Sequence, residues 1–385
     1  MKVLNRTIVI LSFVSLGTDM ASEMLYPVMP VYLRHIGFSV FFIGILEGIA
    51  EATAGLSKGY FGNLSDLWGK RLPFVKLGYF LSAVTKPLMV LFQQASWVLG
   101  VRTLDRLGKG MRTAPRDAML SDASAAGKKA TVFGFHRAMD TIGAILGPVS
   151  ALIWLWFFPG DYLWLFLLAF IPGIISVGLL WTLKEVPRVK SVKRASFFSF
   201  VSFFRNSNPE FKRVAGTLLF FAIFNSSDVF LLLKMKDAGF ADHVVIGFYI
   251  FYNLIYALAA YPLGKMADRI SPKRLIMAGL FFFILAYAGL GVFSSFPAIA
   301  ACMLAYGLFA ACTEGQVKAW LSEVCDKGKT ATALGSFLSF QSICLLIASW
   351  VTGLLWWKFG ATVALLYGAV GALLTALVLI RRKVS

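Results

Sequence analysis

Gly62-Asn63-Leu64-Ser65-Asp66-Leu67-Trp68-Gly69-Lys70-Arg71 returns as Gly264-Lys265-Met266-Ala267-Asp268-Arg269-Ile270-Ser271-Pro272-Lys273-Arg274, each copy set between two long apolar stretches. A second pair confirms the duplication. Ala118-Met119-Leu120-Ser121-Asp122, followed by Gly127, Lys128, Ala130, Thr131 and Gly134, matches Ala319-Trp320-Leu321-Ser322-Glu323, followed by Gly328, Lys329, Ala331, Thr332 and Gly335. The shifts are 202 and 201 residues, so the chain consists of two homologous halves running in the same orientation.

Working outward from these motifs, the flanking stretches define the class. With 58% apolar and 15% charged residues and a mean hydropathy of +0.76, the chain has too little charge to cover a water-exposed surface. Runs long enough to cross about 30 Å of hydrocarbon as helices are read at 8–33, 41–61, 74–92, 96–113, 130–156, 163–183, 211–233, 245–264, 275–293, 296–321, 333–357 and 361–380. The expected fold class is an all-α membrane protein of twelve transmembrane helices in two pseudo-symmetric six-helix bundles. These bundles take residues 1–184 and 211–385, joined by a cytoplasmic linker over 185–210. The first stretch is too long for a secretory signal and carries Asp19 and Glu23, so it is expected to remain as the first helix.

The net charge of +18 would suit nucleic acid, but its distribution points elsewhere. With both termini inside, Lys and Arg concentrate in the cytoplasmic stretches, and 4, Arg34, Lys234, Lys236 and Lys358, fall outside. That asymmetry is the positive-inside rule, and it suits an anionic inner leaflet. Nucleic acid is therefore excluded as a partner, and membrane lipids are expected. Cys302, Cys312, Cys325 and Cys344 show neither pairing nor metal-ligand spacing and read as small apolar residues. In the linker, Lys184, Arg188, Lys190, Lys193 and Arg194 precede Phe197, Phe198, Phe200, Phe203 and Phe204. This order fits an interfacial segment or a plain basic connection equally.

The paired loop motif resembles the signature of the major facilitator superfamily, and the likeness extends over all twelve apolar stretches. The resemblance implies that Asp66 and Asp268 tie cytoplasmic helix ends together, with Lys70, Arg71, Lys273 and Arg274 as charge partners and Gly62, Gly69 and Gly264 allowing close approach. In the second copy Ser271-Pro272 replaces Gly69-Lys70. The family also implies a secondary transporter working by alternating access, expected as a monomer in a bacterial cytoplasmic membrane with both termini cytoplasmic.

Ionisable residues inside a membrane are costly, and each is a functional candidate. The first stretch carries Asp19 and Glu23, one turn apart. The second carries Glu47, Glu51 and Lys58; on a helical wheel the latter two lie about 40° and about 20° from Glu47. The fourth carries Arg102, Asp105, Arg106, Lys109, Arg112 and Arg116 within an arc of roughly 120°. With Lys86, Arg137 and Asp140 these charges could simply neutralise one another as internal pairs. Buried pairs are often no better for stability than apolar packing, however, so their number asks for a further reason. A carboxylate that exchanges a basic partner for a proton would supply one.

In Phe135-His136-Arg137-Ala138-Met139-Asp140-Thr141-Ile142-Gly143-Ala144-Ile145-Leu146-Gly147-Pro148, residues His136, Asp140, Gly143 and Gly147 share about 60° of arc. Gly143-x-x-x-Gly147-Pro148 resembles the core of the antiporter motif of drug exporters, and equally reads as small-residue packing before a proline kink. The second half differs in character: Asn225, Ser226, Ser227 and Asp228, then Tyr249, Tyr252, Asn253 and Tyr256, then Glu314, Gln316, Lys318 and Gln341. Such an aromatic and amide-lined wall suits an amphipathic organic molecule.

The sequence has no nucleotide-binding loop, nucleophile elbow or metalloprotease helix, so no enzyme activity and no cofactor are expected; an ion gradient should supply the energy. The leading expectation is proton-coupled export of a small amphipathic organic compound. Export of a divalent metal through Asp19, Glu23, Glu47, Glu51 and His136 stays open, as does export of an organic anion held by the cationic stripe. A scaffold or sensor that keeps the fold without transport is the rival from another class, opposed by the density of intramembrane charge.

Overall fold

In the computed structural model every described element is an α-helix, as long apolar runs without backbone partners in lipid require. The structure describes residues 4–381 apart from 27, 30–31, 34–35, 39, 159 and 187–197. Within these, α1 is Arg6–Leu25, α2 Val40–Trp68, α3 Leu72–Leu91, α4 Ala95–Ala123, α5 Lys129–Phe157, α6 Tyr162–Leu180, α7 Ser199–Asn206, α8 Pro209–Ala222, α9 Val229–Asp237, α10 Asp242–Ile270, α11 Pro272–Val292, α12 Phe296–Val324 and α13 Thr330–Arg381. Gly360, at φ 85° and ψ 171°, breaks α13 into two helices, where the sequence places the boundary between its last two stretches. Seven of these helices, α1, α3, α5, α6, α11, α12 and α13, are long and apolar enough to cross a membrane. The more polar α2, α4 and α10 have 29 residues each, about 43 Å at 1.5 Å per residue, and so outrun the hydrocarbon.

Three boundaries differ from expectation. The stretch read as one helix over 211–233 is two, because α8 ends at Ala222 and α9 begins only at Val229. Asn225, Ser226, Ser227 and Asp228 lie between, and their short polar side chains compete with the helical backbone. The first helix is regular only to Leu25, two positions ahead of Pro27. The fourth runs ten residues past its expected end at 113, so that Arg116, which the sequence places on the same arc, is buried within the helix. In the linker, α7 buries Phe200 and leaves Phe198 and Val201 exposed, while 187–197 fall outside the described residues.

The helices cluster into two compact units. The first comprises residues 1–125, 139–206 and 327–339; the second comprises 126–138, 207–326 and 340–385. In the first, α4 packs on α2 and α3, and α6 on α1 and α3. In the second, α12 packs on α10 and α11, with α8 also against α12. The segments 126–138 and 327–339 are repeat equivalents, related by the same shift of 201 that relates Gly127 to Gly328.

Candidate functional site: buried charge in each unit

The first unit holds the charges that the helical wheel places on one arc of α4. Arg102, Asp105, Arg106, Arg112, Arg116 and Asp117 are all buried there, whereas Lys109 is exposed. Asp105 is committed to Lys86, whose Nζ lies 2.9 Å from Oδ1, with Arg102 at 3.8 Å from Oδ2. Arg116 donates twice to Asp117, at 2.8 and 3.0 Å, and reaches Ser15 at 3.0 Å and the Tyr79 hydroxyl at 3.3 Å. Arg112 donates to Ser82 at 2.6 Å and lies over the Tyr79 ring.

The acids gather beside this arc because α5 approaches α1 closely. A Cβ on Gly147 would sit 2.6 Å from the Met20 carbonyl, and one on Gly143 would meet Leu16, so the Gly143-x-x-x-Gly147 pair is a packing surface against α1. One turn before it, Asp140 accepts the Ser15 hydroxyl, and Asp19 stands one helical turn beyond Ser15 on the same face of α1. Lys109 and Arg112 act on Asp19, and Lys109, Arg106 and Arg102 act on Glu23. Asp19, Glu23, Asp140, Arg102, Arg106 and Lys109 are thus brought together, while Asp105 belongs to the neighbouring pair with Lys86. The side chains of Glu47 and Glu51 lie outside the described residues.

Ser15, Tyr79, Ser82 and Asp117 complete the network with Arg112 and Arg116 of the arc, and these four were not singled out from sequence. Ser15 could have been found, because it stands one helical turn before Asp19 on the same face. Among the described residues no group of three His, Cys, Asp or Glu is placed to hold a metal ion.

The loop motif forms a compact lock within the same unit. Asp66 accepts the Thr332 amide at 2.8 Å and hydroxyl at 2.9 Å with Oδ2, and Arg71 at 2.9 Å with Oδ1. Arg71, 1% exposed, also pairs with Asp122, and Glu185 caps α3 through the Arg71 and Leu72 amides at 3.2 and 2.7 Å. The carboxylate of Asp66 therefore caps the start of α13. Burial pushes the Asp66 carboxyl above its ordinary range, against the pull of Arg71 and Thr332. Gly62 packs on Ala331, Gly69 takes φ 64°, and Lys70 is exposed.

The second unit repeats the arrangement: Asp268 accepts the Ala130 and Thr131 amides at 3.0 Å each, and the Thr131 hydroxyl, at the start of α5. Gly264 approaches so closely that a Cβ would stand 2.6 Å from the Ala130 carbonyl. Lys273 is half-buried and Arg274 exposed. Further into that unit, Arg137 pairs with Glu314 and its guanidinium is 5.9 Å from the Tyr256 ring centre. His136 is fully buried, Asn253 donates to the Tyr249 carbonyl at 3.0 Å, and Gln341 is half-buried. Gln316 is fully buried with no hydrogen-bond partner for either amide atom among the described residues. Asp228 accepts from Tyr252 at 2.7 Å and Tyr306 at 2.6 Å.

Comparison with known proteins accounts for the repeat. The family model described as Major Facilitator Superfamily matches residues 11–252 and again 237–385. The chain belongs to the Major Facilitator Superfamily. An uncharacterized MFS-type transporter, MJ1317 of Methanocaldococcus jannaschii, is 32% identical over 98% of this chain and 95% of its own length. The quinolone resistance protein NorA of Staphylococcus aureus is 26% identical over a shorter stretch, 38% of this chain and 37% of its own. Among solved structures, the human organic anion transporter MFSD10 superposes with a TM-score of 0.83 at 15% identity, covering 97% of this chain and 99% of that one. The fucose:proton symporter FucP of E. coli gives 0.78 at 12%, covering 97% of each. The family and the MFS-type relative place the chain among membrane-spanning transporters.

Proposed function

We propose that the chain is a proton-coupled exporter of a small amphipathic organic compound, with the Asp19–Asp140 pair as its proton carrier. The observation that carries this reading is the seating of Asp140 on Ser15, one turn from Asp19 on α1, where the two carboxyl groups act on one another beside Lys109 and Arg112. A rearrangement that brings a cation to the pair releases the proton; one that withdraws it lets a proton bind. Glu23, facing Lys109 and Arg106, supplies a second exchangeable carboxylate. Alternating access then couples proton entry to substrate exit. The partial likeness to a quinolone resistance protein favours export of an organic compound, and the Asp66 and Asp268 caps, each within its own unit, support a structural role for both motif copies. The protein would act as a monomer in a prokaryotic cytoplasmic membrane, driven by the proton gradient without a cofactor.

Pyranine-loaded proteoliposomes test the reading. Asp19→Asn and Asp140→Asn should each retain substrate exchange at equilibrium but lose pH-gradient-driven accumulation by at least about tenfold, one unit of gradient being about 1.4 kcal/mol per proton. Full gradient-driven flux in both variants would overturn proton coupling at this pair.

A second reading, an organic anion as substrate, is favoured by one observation: Arg102, Arg106, Lys109 and Arg112 outnumber Asp19, Glu23 and Asp140 around this cluster. Competition of flux by organic anions, with no competition by cations or neutral amphiphiles, would select it.

A further inference from the structure

The interruption between α8 and α9 holds a charge that the second unit leaves without an opposing one. Both oxygens of Asp228 accept hydroxyl hydrogens, Oδ1 from Tyr306 and Oδ2 from Tyr252. That is the bonding pattern of an ionised carboxylate. Among the described residues no Lys, Arg or His pairs with it, and the charged side chain acting on it is Glu314, of the same sign and already paired with Arg137. Lys234, the first basic residue along α9, reaches instead to Ser294 at 3.5 Å. The surrounding wall is neutral: Tyr249 and Tyr252 from α10, Tyr287 from α11 and Tyr306 from α12.

Three features of the interruption favour a positive guest. A half-buried carboxylate without a side-chain counter-charge is unfavourable, and a cation from solution would offset this. The C-terminal end of α8, where Ile223 and Phe224 turn back onto the Phe220 and Phe221 carbonyls, brings the negative end of one helix dipole to the gap, and the positive end of the shorter α9, at its N-cap Asp228, opposes it only in part. The third feature is Asn225 Oδ1, buried in the same gap with no hydrogen-bond donor. A broken membrane helix that carries this carboxylate with its two tyrosine hydroxyls, and an unpartnered amide oxygen three residues earlier, offers oxygen ligands only, the set suited to a hard cation, and its single negative charge matches a monovalent one.

We propose that the α8–α9 interruption is a binding site for a small monovalent cation of the sodium class, with Asp228 as counter-charge and Asn225 Oδ1 as a further ligand. It rests on contacts in the second unit alone and is independent of proton coupling at Asp19 and Asp140.

The test is thermal unfolding of the purified full chain at fixed ionic strength and alkaline pH, with sodium chloride replacing choline chloride. Sodium should raise the wild-type Tm in a saturable way, and Asp228→Asn and Asn225→Ala should abolish the response, while Asp19→Asn keeps it. Should Asp228→Asn fail to fold, Tyr306→Phe supplies the readout: half-saturation should move to about tenfold higher sodium, the effect of losing about 1.4 kcal/mol. A wild-type Tm indifferent to sodium, a sodium response that survives in Asp228→Asn, or equal protection from acid alone would each overturn the site, the last assigning it to a proton.

Discussion

Ser271 is the described non-glycine residue with positive φ, at 111°, and it occupies the place that Gly69 fills at φ 64° in the first motif copy. A side chain in that region costs about 1–3 kcal/mol, and the hydroxyl returns only a long 3.5 Å bond to the Arg274 amide. Ser271→Gly should therefore raise the Tm of the purified protein, with an effect of about 1 kcal/mol after the weak cap is lost. A lower Tm would contradict the strain. Lys86 and Asp105 present the opposite case, a buried pair at 2.9 Å. Lys86→Met alone should destabilise by about 3–5 kcal/mol by leaving Asp105 with Arg102 as its more distant partner, and Lys86→Met with Asp105→Leu should recover a good part of that loss. Additive losses in a double-mutant cycle of chemical unfolding would mean that the pair is not an energetic unit.

At the scale of the helix, the Gly143 and Gly147 pair shows how packing builds chemistry. The sequence alone leaves two readings of this motif, an antiporter signature or small-residue packing. The structure places both glycines against the α1 backbone at Leu16 and Met20, and that contact is what brings Asp140 to Ser15 and Asp19. Gly147→Leu should force α5 away from α1, lowering stability by about 1–3 kcal/mol and abolishing gradient-driven flux. Gly160→Ala, at a positive-φ turn with open space around it, serves as a control that lowers stability without touching the pair. Wild-type coupling in Gly147→Leu would separate the helix contact from the carboxyl pair. The break in the seventh stretch belongs to the same scale. Its hydropathy reads as continuous, yet four adjacent short polar residues stop the helix and set Asp228 among tyrosines.

Across the whole molecule the repeat is preserved in contacts as well as in letters. Asp66 caps the start of α13 and Asp268 caps the start of α5, each through consecutive or single backbone amides and a threonine hydroxyl. Asp66→Asn keeps the shape but loses the charge that faces Arg71 and the helix dipole, so it should slow transport severalfold while expression and monodispersity stay near wild type. Thr332→Val should do the same more mildly. Normal flux in both would reject that role of the motif.

The class, the duplication, the apolar stretches other than the first, fourth and seventh, and the charged arc of α4 are legible in the sequence because they depend on local periodicity and on the cost of burying charge, which each residue carries with it. The partners of those charges are not legible. That Asp105 meets Lys86, that Arg116 turns to Asp117 and Ser15, and that Asp19 meets Asp140 all depend on which helices touch and at what height along their length. Helix-to-helix register is decided by close contacts such as that of Gly147 on Met20, between residues distant in the chain, so only the tertiary structure could choose among the pairings the sequence allows.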